Sequence, residues 1–194
     1  VKTIEEAKEY KKEGYLVAAE RNGKKLDFAD FGNSPFEFTS DKIKDRTLVY
    51  SSTNGTNTIN LAKNADMLVV ASFLNLTSIS DFIINQNKDV LILCSGWMQD
   101  FCIEDSLFAG ALSEKLILSE KYDFNSDQVQ MSLDIWNQAK KNLNTYIKRM
   151  FQYKRLVQFG FKEIVEYCFK TDTTNVIPIM KNDAIVDNDS LHIS

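Results

Sequence analysis

At 194 residues, 44% hydrophobic and 26% charged, with a formal net charge of −4, the chain suits one domain, large enough to bury roughly 70% of its unfolded surface. Lysine and arginine are interspersed with acids, which excludes the broad basic face of a nucleic-acid binder and favours a small ligand. The longest apolar runs are strand-length, which excludes a membrane span, and the residues show no signal or transit pattern.

Residues 4 to 13 read as a helix, with Thr3 and Glu6 spaced as a capping box and Gly14 as the stop. Residues 15 to 19 follow as a strand ending at Glu20 and Arg21, before a turn at Asn22 and Gly23. A chain that opens on a helix feeding a buried strand, with no initiating methionine, is expected to have an earlier strand and to be incomplete at its N-terminus. Gly32 to Pro35 form a loop, because the proline removes a donor and pushes Ser34 toward extended conformations.

Three similar units come next. Residues 46 to 50 precede the polar stretch Ser51 to Thr56, residues 67 to 71 precede Ser72 to Asn75, and residues 90 to 93 precede Cys94, Ser95 and Gly96. Continuous apolar strands alternating with helices predict a mostly parallel sheet with helices on both faces, a three-layer α/β/α domain over 1–194. Residues 126 to 150 predict one amphipathic helix, with Val129, Leu133, Trp136, Leu143, Ile147 and Met150 on its core face. Residues 176 to 180 read as a short edge strand by their proline.

Ligands of an open parallel sheet bind beyond the carboxyl ends of its strands, where helix N-termini gather. Ser51 to Thr56 supply four hydroxyls, an amide and Gly55 just before a helix, a loop able to cradle phosphate. The plain alternative is that Thr53 or Asn54 only caps that helix. Glu20 and Arg21 offer a carboxylate for metal or base chemistry and a guanidinium for an oxyanion, or simply a surface ion pair. Glu104 and Asp105 open another helix, whose N-terminus suits acids in any case. His192, the one histidine, lies near the end, which disfavours a histidine base. Three cysteines with no CxxC spacing read as reduced thiols of a cytoplasmic protein. Cys94 lacks the arginine six residues on that a cysteine phosphatase needs, since Asp100 stands there, and the DxD spacing of Asp187 and Asp189 falls near the tail. No GxxxxGK or GxGxxG occurs.

Taken in order, these segments resemble the 2-phosphosulfolactate phosphatase family. The resemblance runs through Glu20 and Arg21, Gly32 to Phe38, Thr53-Asn54-Gly55-Thr56, Ser72-Phe73-Leu74-Asn75, and Cys94-Ser95-Gly96 through Glu104 and Asp105 to Ala109-Gly110-Ala111-Leu112. It implies a magnesium-dependent hydrolase that removes phosphate from the 2-hydroxyl of sulfolactate or a related 2-hydroxy acid, within coenzyme M biosynthesis. It assigns catalysis to Glu20, Arg21, Asn54, Glu104 and Asp105, and Mg²⁺ to Glu20, Glu104 or Asp105. Substrate binding falls to Asn33, Ser34, Thr53, Gly55, Thr56, Asn75 and Gly96. The chain departs from the family pattern at Phe151 and Gln152, Ile164 and Asn175, which implies altered substrate preference or reduced activity. A non-catalytic anion-binding domain and a purely structural domain are the competing readings, and homo-oligomer formation stays open.

Overall fold

A computed structural model describes residues 1–21, 23–98 and 100–188. Asn22, Asp189 and His192 of the sequence reading lie outside the described residues. The chain forms two compact units: Val1–Lys63 with Ser95–Asp100, and Asn64–Cys94 with Phe101 onward.

The first unit is an αβ core. Helix α1 (Ile4–Lys12) begins as expected: Glu6 N–H donates to Thr3 Oγ1 at 3.1 Å, and Thr3 N–H donates to the Glu6 carboxylate at 3.0 Å. Strand β1 (Leu16–Arg21) pairs in parallel with β3 (Leu48–Ser51), from Leu16↔Leu48 to Ala19↔Ser51. On its other side lies the two-residue β2 (Lys24–Lys25), antiparallel, with Glu20 opposite Lys25 and Arg21 opposite Lys24. Side chains alternate along a strand, so Val17 and Ala19 pack in a small core with Ala7, Ala29 and Val49. Ala18 is also buried, and Tyr50, its register partner, ends an aromatic row of Phe31, Phe38 and Tyr50. Burial of successive residues explains why the run reads as continuously apolar. Asp30 clamps the layers together, taking the Lys11 ammonium at 2.6 Å and the Val17 N–H at 2.9 Å. Helices α2 (Ser40–Ile43) and α3 (Gly55–Ala62) complete this unit's regular elements.

The second unit is mainly helical: α4 (Leu76–Gln86), α5 (Ile103–Leu118), α6 (Asp127–Ala139), α7 (Leu143–Ile147), α8 (Phe151–Gln158) and α9 (Lys162–Cys168). Its core gathers Phe73, Ile79, Leu107, Leu112 and Ile147. Helix α5 meets α6 backbone to backbone, for a Cβ added at Gly110 would sit 2.1 Å from Ser132 O. A hairpin of β4 (Pro178–Lys181) and β5 (Ala184–Asp187) closes the described chain.

The fold is therefore mixed α/β, and three sequence expectations change. Residues 67 to 71 make an antiparallel contact rather than a parallel strand: Val69 bridges Ile179, Val70 N–H donates to Pro178 O, and Met180 N–H donates to Leu68 O, both at 2.9 Å. Residues 90 to 93 form no regular strand, and Leu91 is 81% exposed. An apolar run becomes a strand only where a neighbouring backbone supplies a ladder, and none of the described residues does so here. The expected helix over 126 to 150 is two helices, because Asn142 Oδ1 accepts Thr145 N–H at 3.0 Å and starts α7 afresh. Among the described residues the only named parallel strand pair is β1 with β3.

Candidate active site

In the first unit, the end of β1 throws two opposite charges to opposite faces. Glu20 is only 9% exposed. Its Oε2 accepts Gly23 N–H at 2.8 Å, and the Thr53 hydroxyl lies 3.5 Å from its Oε1. No salt bridge reaches it among the described residues. A carboxylate so buried without a counter-cation is costly, and such groups are normally paired or bound to metal. Arg21 donates from Nη1 to Glu20 O at 2.6 Å and from Nη2 to Ser51 Oγ at 3.3 Å. Tyr50, on the Glu20 face, donates its hydroxyl to Asn33 Oδ1. Burial, reinforced by the Glu20 charge, pushes this phenol up to about 12, so it stays a donor. Ser34 is occupied locally, accepting Phe36 N–H at 3.3 Å at the start of the 3-10 turn Pro35–Glu37.

The loop after β3 is built differently from either simple reading. Ser52 and Thr56 lock it reciprocally: Ser52 N–H donates to Thr56 Oγ1 at 3.0 Å and Thr56 N–H to Ser52 Oγ at 3.3 Å. Neither Thr53 nor Asn54 caps α3 with its side chain, which corrects the capping alternative. Thr53 turns to Glu20, while Asn54 Oδ1 accepts Met98 N–H at 3.1 Å. Because a backbone N–H can only donate, that bond fixes the amide's polarity and leaves the Asn54 NH2 as a donor pair. The N–H groups of Gly55 and Asn57, in the first turn of α3, meet no acceptor among the described residues. A helix start with unspent N–H groups attracts anions.

Gly96 sets the turn that brings Met98 to Asn54. Its φ is +65°, and an added Cβ would meet Asp100 O at 2.5 Å, so only glycine fits. Trp97 and Asp100 close the turn with backbone bonds of 3.1 and 2.9 Å. Gly55 is the opposite case: its φ is not positive, and an added Cβ would lie an ordinary 3.4 Å from Ser52 Oγ. The fold does not require glycine there.

In the second unit, Glu104 and Asp105 occupy the first turn of α5. Burial, then the adjacent Asp105 charge, raise the Glu104 carboxyl, with Arg155 partly opposing. Asn75 is buried and committed at both ends of its amide, accepting Ser72 N–H at 2.9 Å and donating to Val176 O at 3.0 Å. The three thiols are unbridged. Burial and neighbouring carboxylates raise Cys94 and push Cys102 up to about 12, and burial alone raises Cys168. Protonated thiols are poor nucleophiles. Among the described residues no three His, Cys, Asp or Glu side chains cluster to hold a metal.

Glu20, Arg21, Thr53, Asn54, Gly55, Thr56 and Gly96 thus gather around the ends of β1 and β3, with Asn33 joined through Tyr50. Asn75, Glu104 and Asp105 belong to the other unit. Sequence reasoning passed over Ser52 as a lock and Tyr50 as a donor, since both look like ordinary loop and strand residues.

The 2-phosphosulpholactate phosphatase family profile matches residues 1–183. The chain belongs to this family. A probable 2-phosphosulfolactate phosphatase of Thermotoga maritima is 34% identical over 187 residues, 96% of this chain and 79% of the relative. Its counterparts in Carboxydothermus hydrogenoformans and Caldanaerobacter subterraneus are 35% and 32% identical, each covering 92% of this chain and 74% of the relative.

As a 2-phosphosulfolactate phosphatase family member, the chain is a phosphoric monoester hydrolase. Such a reaction spreads negative charge over non-bridging phosphate oxygens, so it needs positioned donors and cations more than covalent chemistry. The first unit supplies N–H groups, an oriented amide, a guanidinium and a buried carboxylate.

Proposed function

We propose that this chain hydrolyses 2-phosphosulfolactate to sulfolactate and inorganic phosphate with the help of magnesium. The observation that carries the reading is the α3 start, where donors that meet no acceptor among the described residues lie beside the buried Glu20, which none of the described cations pairs. The N–H groups of Gly55 and Asn57 and the Asn54 NH2 bind non-bridging phosphate oxygens, while Arg21 forks onto an anionic oxygen pair. Glu20 orients the attacking water. As water adds to phosphorus, the bond to the 2-oxygen breaks, and the departing oxygen takes up a proton.

The residues fit the metal. Mg²⁺ prefers hard oxygen and keeps several waters, so it takes only one or two carboxylates. Either Glu20 offers one in the first unit, or Glu104 with Asp105 offer a pair in the second, where their mutual repulsion favours a cation. When bound, Mg²⁺ neutralises phosphate charge and polarises its oxygens.

The reading extends to the sequence's finer expectations. No helix among the described residues is long and apolar enough to cross a membrane, in keeping with cytoplasmic work on a coenzyme M precursor. The test is phosphate release from 2-phosphosulfolactate and other 2-phospho hydroxy acids, with EDTA and with magnesium restored. Release that EDTA stops and magnesium restores is expected. No release from any of them, or binding without turnover, refutes the enzyme reading, and release indifferent to EDTA refutes the metal.

A further inference from the structure

The β1–β2 pairing sets Arg21 directly opposite Lys24. Residues so paired share one face of the sheet, with Cβ atoms about 4.5 to 5.5 Å apart, and like charges there are unfavourable. Neither side chain joins a salt bridge among the described residues. Arg21 divides its terminal nitrogens between Glu20 O and Ser51 Oγ, both uncharged acceptors. Lys24 is exposed, and no bond to its ammonium occurs among the described residues. Its neighbour Lys25 differs, lying on the Glu20 face by register and reaching Asp30 O at 3.5 Å. Two cations with no anionic partner among the described residues therefore face the same way at the strand end that leads, through Ser51, into the anion loop.

The proposed substrate makes sense of that excess. Alongside its phosphate it carries a carboxylate and a sulfonate, a total of roughly −4 at neutral pH. The α3 donors and Arg21 answer the phosphate and leave the acid groups without a partner. We infer that Lys24 binds an acid group of the substrate other than the phosphate, beside Arg21. The inference rests on the proposed phosphatase function. It makes Lys24 a determinant of which phosphate esters are accepted, acting through affinity rather than on the bond that breaks.

The test compares Lys24→Gln with wild type on 2-phosphosulfolactate and 2-phospholactate, using inorganic phosphate as a competitive inhibitor that carries no acid tail. The expected result is a KM raised about tenfold for 2-phosphosulfolactate, kcat within twofold, an unchanged inhibition constant for phosphate, and a melting temperature no lower than wild type. A matching rise for 2-phospholactate identifies the carboxylate as the bound group, and a rise confined to the sulfonated ester identifies the sulfonate. An unchanged KM, a fall in kcat alone, or an equal weakening of inorganic phosphate overturns the assignment while leaving the phosphatase reading intact. A wild-type protein that turns over neither ester brings down both.

Discussion

Replacing Gly55 with alanine separates what the fold needs from what a ligand needs. The added methyl would lie 3.4 Å from Ser52 Oγ, ordinary contact, and the backbone there is already right-handed. Losing a glycine from a compatible backbone stabilises by about 0.4 to 1 kcal/mol, chiefly by restricting the unfolded chain. For a protein of this length that amounts to a melting temperature raised by roughly 1 to 4 °C. The consequence for turnover has the opposite sign. A methyl group beside the Gly55 N–H obstructs an approaching phosphate oxygen, and one hydrogen bond to a charged group is worth roughly 1.5 to 3 kcal/mol. Converted at about 1.4 kcal/mol per tenfold, kcat/KM should fall roughly 10- to 150-fold. Thermal unfolding and phosphate release on the same preparation measure both quantities. Full activity in a folded Gly55→Ala protein would refute close ligand approach at this loop, and a large loss of stability would refute the packing argument.

Gly96→Ala should behave in reverse, destabilising by at least about 1 to 2 kcal/mol from the left-handed backbone alone, because its Cβ would also strike Asp100 O; a melting temperature equal to wild type contradicts this. Asn54→Asp keeps an acceptor for Met98 N–H but removes the NH2 donors and adds charge beside the α3 start. Phosphate release should drop at least tenfold with little change in melting temperature, whereas parallel losses would mean that Asn54 only braces the turn. Burial works to raise the Asp30 carboxyl, yet the Lys11 ammonium and Val17 N–H outweigh it and hold it low. The stabilisation is therefore complete above the unfolded value of about 3.9 and is lost as pH falls through the folded one. The gap in melting temperature between wild type and Asp30→Asn should shrink below about pH 4, and a gap indifferent to pH counts against the pairing.

Local chemistry was the legible part. The Thr3 and Glu6 capping box, β1 and the polar run after β3 all follow from near neighbours in sequence, and the structure holds each of them. Pairing at long range was not legible. Nothing local tells residues 67 to 71 that Ile179 is their partner, or residues 90 to 93 that none of the described residues offers them a ladder. The break between α6 and α7 hid for a related reason: Leu143 and Ile147 keep the apolar stripe in phase across it. Asn142 ahead of Thr145 was the available signal, a cap inside a helical pattern. In the site, residue types were readable, but their partners were not. Asn54 looked like a cap and instead holds a turn more than forty residues away, while Asn75 looked like a ligand donor and is committed within its own unit.

The backbone contact between α5 and α6 offers a genetic handle. With Ser132 O 2.1 Å from where a side chain at position 110 would begin, even one methyl must wedge two helices apart, an overpacking that costs about 1 to 3 kcal/mol. Position 110 belongs to the second unit and the anion loop to the first. An alanine there should yield a heat-sensitive allele whose chemistry survives at low temperature, letting a cell's dependence on this enzyme be switched by warming alone.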